Sequence, residues 1–548
     1  MDWGNSVEAP ATHSVVNSRA PSVKQRRAAL DSHENTTDGP FSATKPDSLP
    51  ATTGELVHAL LDQAVAEAAT APAVRDADGV WDYARVSELS HAFAHWLREQ
   101  GVLPGDRVVV QLPSRRDLVA MFFGACRAGA VFVPLNPAMK EFHLTSVLAN
   151  AEPALAIGTG KQAQVLRARA EVPVHELTEL WPQVLELTGR PFEEQPPRPT
   201  DLAALIYTSG STAAPKAVML PHAQVAFAAS AIQQVLGYRA DDVVFCRFPL
   251  SWDYGLYKVL LATLGRSEIV LAGEESDLVL LRRMRETGAT VLPIVPSLAG
   301  MLATLAQRDT EPAPPVRLIT NTGAALPAAT IAALREAFPG VKVVRQFGQT
   351  ECKRISIMPP DQDQERPDAV GLPLPGTRVL ILDAEGNELP PGQVGEIVAD
   401  GPHVMPGYWR APEQTAKAFR PDPVSGRLRL HTGDYGSLDA DGYLYFEGRR
   451  DDMFKRKGIR MSTLEIEAAA MDIPGVRTAA VLPPAAERDL AIFVETELGP
   501  HVILKELAQR LEPLKVPSIC RVVETLPLTL HGKNARDVLA AMLEGSTR

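Results

Sequence analysis

Residues 1–51 mix Ser, Thr, Pro, Ala and charge with no sustained apolar period, so the segment offers no face for a core and reads as a disordered tail. From position 52 the pattern changes. Leu56, Leu60, Leu61 and Val65 recur at helical spacing over 53–69. Residues 107–112 form a Val-rich run after a Pro-Gly-Asp turn, as in a strand covered on both faces. Residues 118–129 have helical spacing and close on a glycine, and 130–135 is the next strand. Short β-rich runs return at 243–248, 268–271, 290–294 and 316–320 between helical stretches. Strands alternating with helices predict an α/β protein whose large body consists of layered, substantially parallel sheets.

After Phe446 a charged run over 447–455 reads as a linker, and the chain beyond it carries its own pattern. Helices are expected at 463–471 and 503–511, strands at 478–482 and 491–496. The predicted organisation is a tail (1–51), a large N-terminal body (52–448), a hinge (449–451) and a small mobile C-terminal α+β domain (452–548). A small domain hinged on a large one places a ligand site in the cleft between them.

Composition narrows the function classes. The 55 Lys and Arg against 66 Asp and Glu give a net charge of −11, which argues against a nucleic-acid or anionic-membrane binder. No apolar run reaches the roughly 18 residues that a membrane span requires. Cys126, Cys246, Cys352 and Cys520 form no CxxC pair, which argues against a disulfide framework or a Cys-rich zinc site. With no apolar stretch at the N-terminus, the expected location is the cytoplasm.

The most informative segment is LIYTSGSTAAPKAVML over 205–220. An apolar strand runs into hydroxyl- and Gly-rich backbone, then one lysine, then a second apolar run. Backbone N–H groups, the hydroxyls of Thr208, Ser209, Ser211 and Thr212, the bend at Gly210 and the Lys216 ammonium make a cradle for phosphate oxygens. It is not the common P-loop, which needs Ser or Thr after the lysine; here Ala217 follows. Alone, such a loop is usually a linker. It is followed in order by QFGQTE at 346–351, TGD at 432–434, GRRD at 448–451, KRKG at 455–458 and GK at 532–533, with weaker pieces such as PLNP at 134–137 and GYW at 407–409.

This ordered set resembles the adenylate-forming superfamily: acyl-CoA synthetases, the adenylation domains of nonribosomal peptide synthetases and firefly-luciferase-like enzymes. The resemblance runs from about position 54 to 542 and implies an AMP-forming ligase that uses ATP and Mg²⁺. A carboxylate attacks the α-phosphate of ATP to give an acyl-AMP, and a thiol then takes the acyl group. An ionised carboxylate is a poor electrophile, and bringing it onto a triphosphate concentrates negative charge that local cations must offset. By motif, residues 208–212 and Lys216 would hold phosphates, and Thr322, Gly323 and Phe347 would lie along the nucleotide. Thr350 would contact the α-phosphate and Glu351 would hold the metal. Asp434 would grip the ribose hydroxyls with Arg449 nearby, and Lys533 would bridge carboxylate and α-phosphate. Asp451 matches the hinge, and rotation there would bring Lys455 and Gly458 to the site for the thiol step. The sequence departs from the family at Ala213 and Ala217, where glycines are usual, and at Trp252, where His or Phe is frequent.

Asp253 in FPLSWD (248–253) stands where amino-acid-activating members carry the aspartate that binds the substrate amine, beside Trp252. Lys353 and Arg354 follow the Thr-Glu step and would suit a second carboxylate or another polar group; equally they read as surface or phosphate-facing charges. The pattern resembles free-standing enzymes that load β-amino or aspartate-like acids onto a separate carrier protein. The alternatives are a CoA ligase for a small polar or aryl acid and a non-catalytic nucleotide-binding homologue. Neither a nucleic-acid nor a membrane partner is expected.

Overall fold

The structure is a computed structural model describing residues 56–544, apart from 140, 194–195, 209–215, 274–275, 361, 450–452, 457–458, 486–487, 512, 514 and 529–533. The expected tail lies outside the described residues, as do Ser209 to Thr212, Asp451, Gly458 and Lys533.

Two sheets share one hydrophobic core. The six-stranded sheet runs Val174–Glu176, Leu155–Gly158, Arg107–Gln111, Val131–Pro134, β1 (Leu202–Thr208) and β2 (Lys216–Pro221). Its strands are parallel until the last, where β1 and β2 pair antiparallel and set Thr208 opposite Lys216. Val108, Val109 and Val110 are all buried, as the unbroken apolar run requires of a strand covered on both faces. Helices α1 (His222–Leu236) and α2 (Asp253–Gly265), with three N-terminal helices, contribute to the core cluster that spans both sheets. Layers of this kind are what alternating strands and helices predicted.

The second sheet has fourteen strands, thirteen of them along one path. Its middle is parallel: Pro72–Asp76, Glu268–Leu271, Val243–Cys246, Val291–Ile294, β3 (Leu318–Asn321) and β4 (Lys342–Phe347). Beyond β4 it is antiparallel, through Ser356–Ile357 and Ala369–Pro373 to β5 (Leu428–Leu438) and β6 (Leu444–Arg449). The parallel expectation thus holds where helical crossovers join the strands and gives way where short connections allow adjacent strands to reverse. One expectation needs correction: residues 447–449 of the charged run are not linker but the end of β6, paired with β5 so that Arg449 lies opposite Asp434. Cross-strand pairing, invisible in the local pattern, extends the strand through charged positions.

The C-terminal elements carry separate cores. Helix Thr463–Met471 and strands Val476–Leu482 and Ala491–Thr496 enclose Ile466, Val481, Ile492 and Val494, and Ile503 and Leu507 of helix Pro500–Arg510 close that cluster.

Candidate active site

Two devices place Asp253 at the start of α2. Gly255, in the first helical turn, packs so tightly on the preceding loop that a Cβ would come within 2.2 Å of the Pro249 carbonyl oxygen. Asp253 also lies in the first turn, where the helix dipole favours a carboxylate. One hundred residues later the chain turns sharply after β4. A Cβ on Gly348 would lie 2.7 Å from the Arg354 Cα and 2.8 Å from the Lys353 carbonyl, so only glycine lets the turn close. Lys353 in that turn has φ of 62°, a left-handed backbone that a lysine adopts at some strain.

The turn brings both cations inward. Lys353 Nζ donates to Asp253 Oδ2 at 3.0 Å and lies 4.4 Å from the centroid of the Tyr257 ring. Burial pulls its ammonium down to about 8, with Asp253 working in the opposite direction. Arg354 is 3% exposed and donates to the Thr322 hydroxyl at 2.7 Å, while its Nε has no partner among the described residues. The Tyr257 hydroxyl and both amide atoms of Gln346 are likewise buried without partners among the described residues. Burial of both side chains excludes the reading of Lys353 and Arg354 as surface charges. Trp252 precedes α2, its ring 6.4 Å from that of Phe248.

Residues expected on the nucleotide side lie around the same turn. Phe347, at the end of β4, packs on Phe446 of β6 with centroids 5.0 Å apart. Thr350 and Glu351 follow Gly348 directly. Tyr408 donates its hydroxyl to Glu351 Oε1 at 2.6 Å, and Lys216 Nζ lies 5.5 Å from the Tyr408 ring centroid. Asp434 on β5 is buried, and its Oδ2 accepts from the Gln349 amide at 2.7 Å. Gln349 Nε2 also donates to the Thr432 carbonyl at 3.0 Å. Gly323 has φ of 90° at the turn after β3, next to Thr322. Thr322, expected on the nucleotide side, here binds Arg354. Arg449 and Lys455 are described by backbone alone, on β6 and on strand Met453–Arg456.

Sequence reasoning missed Gln349, Tyr408 and Tyr257. Gln349 occupies the interior of a motif whose informative positions are its Gly, Thr and Glu. Tyr408 sat in GYW, a weak piece on its own. Tyr257 is at i+4 from Asp253 and shares its helix face, a signal that was available.

A family model described as AMP-binding enzyme matches residues 61–409, and one described as AMP-binding enzyme C-terminal domain matches 465–533. Feruloyl-CoA synthase of Amycolatopsis sp is 30% identical, over 84% of this chain and 94% of that one. L-proline--[L-prolyl-carrier protein] ligase of Streptomyces coelicolor is 29% identical, over 82% and 90%. A plipastatin synthase polypeptide of Bacillus subtilis is 27% identical over 88% of this chain, which spans 14% of that protein's length. Among solved structures, VinN with L-aspartate is 55% identical with a TM-score of 0.66, covering 72% of this chain and 98% of that one. VinN with 3-methylaspartate is 51% identical with a TM-score of 0.61, over 71% and 98%. ATP-bound MatB from Rhodopseudomonas palustris is 27% identical with a TM-score of 0.80, over 89% and 98%. With the match covering most of the large body and the ordered motifs in place, the chain belongs to the AMP-binding enzyme family of adenylate-forming ligases.

Proposed function

We propose that this ligase activates an aspartate-like amino acid, with a β-amino acid of that kind included, and transfers it to the phosphopantetheine thiol of a separate carrier protein. The observation that carries the substrate reading is the charge balance around α2. Lys353 is matched by Asp253, but Arg354 is buried against a neutral hydroxyl, and a buried cation without a counter-ion is costly. A second carboxylate on the substrate supplies that counter-ion, and its ammonium joins Asp253. Two VinN structures with aspartate-type ligands support the same class. The carrier reading is supported by the prolyl-carrier ligase; the feruloyl-CoA synthase keeps CoA as the second reading of the acceptor.

Mg²⁺ fits the donor present. It takes one or two carboxylates and completes its shell with water and phosphate oxygens. Glu351 would hold it through Oε2, since Oε1 is engaged by Tyr408, and the ion would neutralise charge on the triphosphate. Thr350 and Lys216 would face the phosphates and Asp434 the ribose. The roles of the 209–212 loop, Lys533, the Asp451 hinge and the Lys455–Gly458 thiol step rest on the resemblance.

The test is ATP–pyrophosphate exchange over α-amino, β-amino, fatty and aryl acids, followed by loading of CoA or a phosphopantetheinylated carrier protein. Acidic amino acids are expected to dominate and the carrier to be loaded; dominance by fatty or aryl acids sinks the substrate reading. A second expectation concerns Gln349, whose amide fixes the Asp434 carboxylate. Gln349→Leu removes a hydrogen bond to a charged group and should raise the KM for ATP about tenfold or more without altering the KM for the acid. The variant should also discriminate less against 2′- and 3′-deoxy-ATP. A uniform loss with all nucleotides would mark Gln349 as a packing residue.

A further inference from the structure

One buried charge takes no part in the contacts above. Lys258 lies in the second turn of α2, 1% exposed, in a helix buried on almost every face. Its ammonium reaches the Tyr238 hydroxyl at 3.3 Å and the Thr320 hydroxyl at 3.5 Å, both neutral and both long contacts. It makes no ion pair among the described residues. Methionine would fill a similar volume without the penalty of a buried charge, so packing alone does not account for a lysine.

Tyr254 links Lys258 to the acid pocket. Lys258 Nζ lies 4.5 Å from the centroid of its ring, Lys353 Nζ 5.6 Å and the Arg354 guanidinium carbon 5.7 Å. The Tyr254 hydroxyl donates to the Thr320 carbonyl at 2.8 Å, which holds the ring in place. Three cationic side chains therefore surround one phenol, with Asp253 as the carboxylate beside them. The groups facing Lys258 are Tyr238 after α1, Cys246 at the end of its strand, Asp253 and Tyr254 on α2, and Lys353 and Arg354 on the turn after β4. Burial, then Arg354 and Lys353, push the Lys258 ammonium well below its ordinary range.

We infer that Lys258 is a specificity-determining residue of the acid pocket: held behind the Tyr254 ring, it favours acids carrying a second negative charge over neutral acids of the same shape. The inference rests on the aspartate-like reading above. Lys258 does not touch the acid. Burial and the neighbouring cations disfavour its ammonium in the empty pocket; an anionic acid offsets them, and the field of the protonated amine then favours that anion across the ring. An anionic group beside Arg354 lowers the cost of keeping Lys258 protonated, whereas an amide there leaves the positive cluster unbalanced.

The test compares aspartate with asparagine, as turnover in pyrophosphate exchange or as inhibition where an acid is not turned over. In the full chain, Lys258→Met is expected to lower kcat/KM for aspartate about tenfold, as befits a charge one aromatic ring from the ligand at an effective dielectric of about 20. Asparagine should be little affected, so the preference collapses. Lys258→Gln preserves polar reach toward Tyr238 and Thr320 while removing the charge. It should give the same collapse and decides the matter if the methionine variant does not fold. Equal losses for both acids, or an unchanged ratio, would overturn the inference. Failure of the underlying reading shows itself separately, as a wild-type enzyme that does not favour acidic amino acids before any variant is made.

Discussion

Asp253→Asn is expected to lower kcat/KM for the amino acid about a hundredfold or more, the scale of losing one partner of a desolvated charge pair. The KM for ATP should stay in place. The argument is geometric. Asp253 is fixed at the helix start by the close packing of Gly255, and its carboxylate accepts from Lys353 at 3.0 Å. On the proposed reading, a substrate ammonium joins that carboxylate while the substrate carboxylate is drawn to the cations beside it. The amide isostere keeps the shape and removes the charge, so the loss belongs to recognition of the amine. It also leaves the Lys353 ammonium buried without its counter-ion, and removing one partner of a buried pair costs up to about 3–5 kcal/mol. The thermal midpoint should therefore fall with the activity. An Asp253→Asn, Lys353→Met double variant separates the two effects: stability should return and activity should not. Full activity of Asp253→Asn toward an amino acid would remove the amine-binding role.

The local elements were legible because their signals are local. Helix Thr463–Met471 and strands Glu268–Leu271 and Ala491–Thr496 lie where periodicity puts them, and others differ by one to four residues at their ends. What the sequence hides is pairing across distance. Lys353 and Asp253 are 100 residues apart, Gln349 and Asp434 are 85, and Glu351 and Tyr408 are 57. No periodicity encodes such contacts, and cations like Lys353 and Arg354 read by default as solvated. Lys258 is the clearest case: a lone lysine in an apolar helix reads as a side chain reaching for water, and the tertiary fold instead closes Tyr238, Tyr254 and Thr320 around it. Asp253 was singled out for a different reason, because a carboxylate following an aromatic residue resembles the pattern of amino-acid-activating family members.

Lys533→Ala is expected to reduce pyrophosphate exchange by about two to three orders of magnitude, the size of a lost transition-state charge contact. Two nearby cations already have partners in the fold: Lys353 donates to Asp253 and Arg354 to Thr322. Lys216 lies against Tyr408. The bond-forming step brings the reacting carboxylate onto the α-phosphate in a chain whose net charge is −11, so a further cation has to reach that point. The resemblance assigns this to Lys533, the last residue matched by the C-terminal family model. If the lysine serves only the first half-reaction, transfer from a supplied acyl-adenylate to the carrier thiol should survive the substitution. Undiminished exchange would show that the charge comes from elsewhere. Equal damage to both half-reactions would make Lys533 a structural residue of the small domain. Lys533→Arg should recover part of the exchange, since the charge returns in a bulkier, less compact form.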